Sequence, residues 1–171
     1  IIEEWFDLLL SKNDITFTLI ALATHFQLYV YGVQGIVIPE NLTLNLLTHP
    51  TLYAPSEKAN HDQMAEYNWK GVAERFIEQY PDRSLEISEI VLEHFGDDGT
   101  LFGRVFSDAH SIVGRIAQLH PAEVWRQITK YLDPPYDARA FGITYWLHGR
   151  SEFFGQETTS GPLDIFPPDA I

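Results

Sequence analysis

The side chains with the most obvious chemical capacity are seven histidines and 24 carboxylates. His61-Asp62 sets an imidazole beside a carboxylate, a ligand pairing that metal-assisted hydrolysis uses, and His25 lies 36 residues earlier. The run Lys58-Ala59-Asn60-His61-Asp62-Gln63 is polar throughout, which suits a cap or an exposed loop better than a ligand set. His94 stands near Asp97 and Asp98, but a calcium loop needs alternating oxygen ligands that end in a bidentate Glu. Gly99-Thr100-Leu101-Phe102-Gly103 does not supply them. His94 fits the negative end of a helix, the two Asp a turn. Asp108 and His110 are two apart and do not share a helix face, so Asp108 reads as a cap. There is no His-Glu-x-x-His, no Gly-rich phosphate loop and no Gly-x-Ser-x-Gly. The absence of cysteine excludes disulfides, thiol catalysis, iron–sulfur clusters and Cys-ligated zinc. Glu3-Glu4 and Asp97-Asp98 read as solvated charge. The expectation is no metal, no cofactor and no catalytic set.

Two features suit binding. Glu86, Glu89 and Glu93 fall at spacings of three and four, an acidic stripe on one helix face. Arg126 and Lys130 are four apart on a later helix. An ordinary solvated helix face has the same pattern. Further on, Gly149-Arg150-Ser151-Glu152-Phe153-Phe154-Gly155 lies in an irregular segment, 149–167. Phe153 and Phe154 read as packing residues for that segment, or as anchors for a partner.

The net charge is −13, and it is spread evenly: residues 1–80 hold ten acids and four bases, residues 81–171 fourteen and seven. Neither half offers the basic surface that a phosphate backbone requires, so no nucleic-acid binding is expected. Between Ile15 and Pro39 no residue is charged, a length that could cross a bilayer. Thr16, Thr18, Thr24, His25, Gln27 and Gln34 interrupt it and no Lys/Arg cluster flanks it, so a buried helix from about Asn13 to Tyr31, closed by Gly32, is expected instead of a span. No signal peptide is visible, and a cytoplasmic location is expected. The opening at Ile1 and the helix-like start at Pro167-Pro168-Asp169-Ala170-Ile171 suggest a piece of a longer protein.

The elements that must position these groups are helices punctuated by Pro and Gly. Apolar residues at three-to-four spacing predict helices over Ile1–Lys12, Pro39–Leu47, Gln63–Tyr80, Pro81–Gly96, Ser107–Leu119, Pro121–Leu132 and Ala138–Leu147. Thr51–His61 reads as a loop. Gly35–Ile38 and Leu101–Phe106 are the only stretches with a strand-like pattern, and both are short.

The sequence also repeats. Arg75-Phe76-Ile77-Glu78-Gln79-Tyr80-Pro81 and Arg115-Ile116-Ala117-Gln118-Leu119-His120-Pro121 both end an apolar helix at a proline, 40 residues apart. At that offset Leu85 meets Trp125, Val91 meets Tyr131 and Leu92 meets Leu132. Pro39 and Pro168 extend the series at 42 and 47 residues. Proline suits the first helical position because its missing N–H has no partner there anyway. A helix–Pro–helix unit with this period resembles HEAT/armadillo-type α-solenoid repeats, best over Ala73–Leu132. The tetratricopeptide alternative needs a period of about 34 and a Trp-Leu-Gly-Tyr pattern that is missing.

The resemblance implies an all-α fold of stacked antiparallel helix pairs, one domain over residues 1–171, and a non-catalytic protein-interaction or scaffold module. It also implies that second helices line the concave surface, which would put Glu86, Glu89, Glu93, Arg126 and Lys130 there. The expected partner is another protein or a neighbouring domain of the same chain, with self-association through an open terminal repeat as a further expectation. Some HEAT-like proteins are DNA glycosylases, which the acidic balance argues against. The alternative is an all-helical, metal-dependent HD-like phosphohydrolase built on His25, His61 and Asp62.

Overall fold

The structure, a computed structural model, describes residues 2–32, 38–55, 63–94, 108–134, 137–147 and 166. The described residues form α1 (Ile2–Leu10), α2 (Ile15–Tyr29), α3 (Glu40–Leu47), α4 (Pro50–Tyr53), α5 (Gln63–Gln79), a 3-10 turn (Pro81–Arg83), α6 (Leu85–Glu93), α7 (Asp108–Leu119), α8 (Pro121–Leu132) and α9 (Ala138–Leu147). No strand occurs among them, and the protein is all-α. Residues 35–37 and 101–106 of the strand-like stretches, and all of 149–167 except Phe166, lie outside the described residues.

Local chemistry sets the helix ends. Asp14 caps α2, its Oδ1 accepting the Thr16 N–H at 2.8 Å. Asn13 before it takes a left-handed φ of 48°, and Gly32, just past the end of α2, takes 72°. Asp137 caps α9 in the same way, accepting the N–H groups of Arg139 and Ala140. Pro50 and Pro121 each sit in a first helical turn. The two prolines of the internal repeat share one backbone geometry: Tyr80 before Pro81 has φ −135°, ψ 63°, and His120 before Pro121 has φ −134°, ψ 61°. A residue before proline is pushed out of the helical region, so each unit turns at the same point.

α5 lies at the centre, packed on α2 at one side and α7 at the other, while α6 packs on α7 and α8. α1 and α3 pack on α2. α9 lies across α8 and α6. The apolar stripes meet in one core that includes Phe6, Leu22, Leu46, Trp69, Phe76, Leu92, Ile112 and Ile128, and Phe166 closes it with its ring 5.0 Å from that of Trp125.

Six of the polar bonds between elements join residues at a similar separation. His120 Nε2 lies 3.0 Å from Pro81 O, Ser88 donates to Gln127 Oε1 at 2.7 Å, and Gln127 Nε2 donates to Leu85 O at 3.1 Å. Arg115 reaches Glu78, Arg83 reaches Glu40 and Lys130 reaches Glu89. All six bridge residues 37 to 43 apart, close to the 40-residue offset of the sequence repeat.

One expectation is corrected. Thr51–Tyr53 is not loop: Leu52 and Tyr53 are fully buried, and that burial holds a one-turn helix too short for periodicity to reveal. Leu119 is half exposed at the end of α7. In α1 only Phe6 and Leu10 are buried, whereas Trp5 and Leu8 face outward.

Candidate interaction site

The five charged residues singled out in the sequence lie on two adjacent helices, α6 and α8. Glu89 and Lys130 meet across that junction at 2.8 Å, and the neighbouring carboxylate raises the Lys130 ammonium above its ordinary value. Glu86 turns back to Arg83 Nε at 2.7 Å, while Arg83 Nη1 reaches Glu40 at 2.6 Å. Glu93 and Arg126 are exposed and form no ion pair among the described residues. The Glu93 carbonyl receives Arg139, whose guanidinium also lies over the Tyr131 ring at 5.3 Å. The face is thus a network of partly neutralised pairs with Glu93 and Arg126 open.

His25 is buried. His25 Nε2 is hydrogen-bonded to Thr43 Oγ1 at 3.0 Å, and that hydroxyl also lies 3.3 Å from Pro39 O. Nδ1 has no hydrogen-bond partner among the described residues. Phe6 and Tyr29 pack edge-on to the imidazole, and burial lowers its pKa to about 4. Nothing converges on it: among the described residues no three His, Asp or Glu form a set able to hold a metal ion. His61-Asp62, Asp97, Asp98, Phe153 and Phe154 lie outside the described residues, as do the side chains of Asp108 and His110.

Sequence reasoning missed a groove between the end of α2 and the outer face of α5. It has a volume of about 540 Å³ and is lined by Phe26, Val30, Tyr31, Tyr67 and Gly71 together with the charged Lys70, Glu74, Arg75 and Glu78. Tyr31 is 66% exposed and Tyr67 54%, large values for rings of this size. Both stand edge-on to the buried Phe26, at centroid distances of 5.3 and 5.4 Å. Gly71 makes this possible. A Cβ there would lie 2.4 Å from Phe26 Cε2, so only glycine lets the ring settle against the α5 backbone. The signal available in the sequence was a glycine in the middle of an otherwise good helix, which calls for a packing reason.

Among the described residues no helix is long and apolar enough to cross a membrane; α2 accounts for 15 residues of the uncharged stretch. No family model, curated protein or solved structure matches the chain.

Proposed function

We propose that this chain is a non-catalytic protein-interaction module, a short array of stacked helix pairs of the HEAT type, within a larger cytoplasmic protein. The observation that carries the reading is the open aromatic groove. Tyrosine rings more than half exposed around a buried phenylalanine are what interface anchors look like before a partner covers them. The array is supported by the matched turns at Pro81 and Pro121 and by inter-element bonds that recur near the repeat length. The partner is a protein or a neighbouring domain, not nucleic acid: a net charge of −13 favours encounter with a basic or mixed surface and repels phosphate.

A photoreactive amino acid placed at Tyr67, and in a second variant at Glu93, tests this. Each probes one candidate face. A discrete protein crosslinked at either position is the expected result. A chain that crosslinks at neither and purifies with stoichiometric Zn, Mn or Fe overturns the reading in favour of the metal-dependent hydrolase.

A further inference from the structure

The outward side of α2 differs from that of the other long helices. Among the described helices of eight or more residues, α2 alone holds no Asp, Glu, Lys or Arg. Its inward side carries Thr18, Ala21, Leu22 and His25. Phe17, Ile20 and Thr24 fall at i, i+3 and i+7 on the outward side, and Phe17 and Ile20 are 40% and 45% exposed. The turn Ser11–Asp14 makes α1 antiparallel to α2, on which it packs, and Trp5 and Leu8 of α1 are exposed as well. An outer surface of this kind calls for a cover, because helix-pair stacks end in polar faces. Charge around it is divided between its two ends. Glu3 lies at the start of α1, and Lys12, the only basic residue before position 58, lies in the turn at the other end. Both are exposed, and neither forms an ion pair among the described residues. Asp14, near Lys12, is engaged in capping α2.

We propose that this face is the contact between two copies of the chain, α2 against α2, antiparallel about a two-fold axis. The inference goes beyond the interaction-module reading and uses neither the groove nor the charged face of α6 and α8. A two-fold contact lays a patch on its own copy, so a patch of one charge repels itself and an uncharged one does not. In a chain of net charge −13, the stripe of Glu86, Glu89 and Glu93 fails that condition and α2 meets it. The antiparallel arrangement also lays the turn of one copy beside the far end of the other copy's hairpin. Lys12 of each copy then approaches Glu3 of the other, so the two charges left over in the single chain serve each other in the pair. The contact is small. A helix of 15 residues is about 22 Å long, and a face two helices wide is about 20 Å across. That is on the order of 400 Å² per copy, about half of a standard interface, so the dissociation constant is expected on the order of 100 μM.

The test is sedimentation equilibrium of the whole chain from about 10 μM to about 1 mM, a range that brackets the expected constant. A monomer–dimer equilibrium is the expected result. Ile20→Glu sets two carboxylates against each other at the axis and should weaken the dimer about tenfold or more, with an unchanged helical spectrum because Ile20 is exposed. Lys12→Glu and Glu3→Lys should each weaken it about threefold. Combined in one chain they should restore it, since each exchanged charge again meets its opposite in the other copy. A chain that stays monomeric over the whole range overturns the proposal. So does a dimer that tolerates Ile20→Glu, or a combined variant that recovers nothing. A photoreactive residue at Ile20 should give a crosslinked product of twice the chain's mass; a crosslink to a different protein alone puts that protein in place of the second copy and overturns the proposal too. Capture at Tyr67 and Glu93 is read on other faces, so loss of the dimer and failure of the interaction reading are distinguishable.

Discussion

His25 links a single side chain to the stability of the whole fold. Its pKa is about 4 when folded and about 6.5 when the chain is open, because burial penalises the charged ring. Between those values the unfolded chain binds a proton that the folded one refuses, so stability falls as the pH drops from about 6.5 to about 4. At about 1.4 kcal/mol per pH unit, the full loss is about 3 kcal/mol. His49 is lowered by burial too and acts in the same sense. Urea unfolding at pH 7 and pH 5 should show the loss, and His25→Leu should remove most of it while Thr43 keeps its bond to Pro39 O. An undiminished pH dependence in His25→Leu would locate the effect elsewhere. The sequence offered His25 as a metal ligand because residue type is visible there and burial is not.

At the scale of elements, Gly71 on α5 and Trp69 two residues earlier do opposite jobs. Gly71→Ala should gain about 1 kcal/mol of helix propensity but force the buried Phe26 ring out of place, an overpacking cost of about 1–3 kcal/mol. The net expectation is a modestly less stable protein with altered tyrosine fluorescence; a stabilised variant would show that Phe26 moves freely. Trp69 is fully buried, and its indole N–H donates to Leu47 O at 3.1 Å. Tyr53 donates to the same carbonyl at 2.7 Å, so the last turn of α3 is satisfied from α4 and α5 together. Trp69→Phe should cost about 1 kcal/mol through the lost bond, and Trp69→Ala about 3–5 kcal/mol, both read from denaturant midpoints. Helix ends were legible because caps are local: Asp14, Gly32 and Pro121 act on their own neighbours. The groove was not, since Phe26, Tyr31 and Tyr67 come together only through the packing of α2 on α5.

For the whole molecule, the charged face of α6 and α8 sets a different expectation from the groove. Its ion pairs are exposed, so reversing Glu86, Glu89 and Glu93 to Lys should leave the helical spectrum intact. If a basic partner docks there, its association rate should drop and lose its salt dependence, as measured by stopped-flow mixing. Unchanged rates would remove this face and leave the groove. The all-α class followed from the spacing of apolar residues, and the repeat from prolines whose backbone effect is the same wherever they stand. The manner in which α9 crosses both α8 and α6 was not readable, because it depends on which faces remain uncovered after the earlier helices have packed.

The shared carbonyl of Leu47 has a consequence for how the molecule breathes. Two side-chain protons, one from the Trp69 indole and one from the Tyr53 phenol, end on that oxygen in the dry interior, and both donors are essentially inaccessible. Neither proton can trade places with deuterium until α3 and α4 lift away from α5. The indole signal of Trp69 is therefore a built-in clock for that opening. If the lift happens short of complete unfolding, the indole will exchange sooner than the slowest backbone amides of α5, and the gap between the two rates measures how independently this corner of the fold moves.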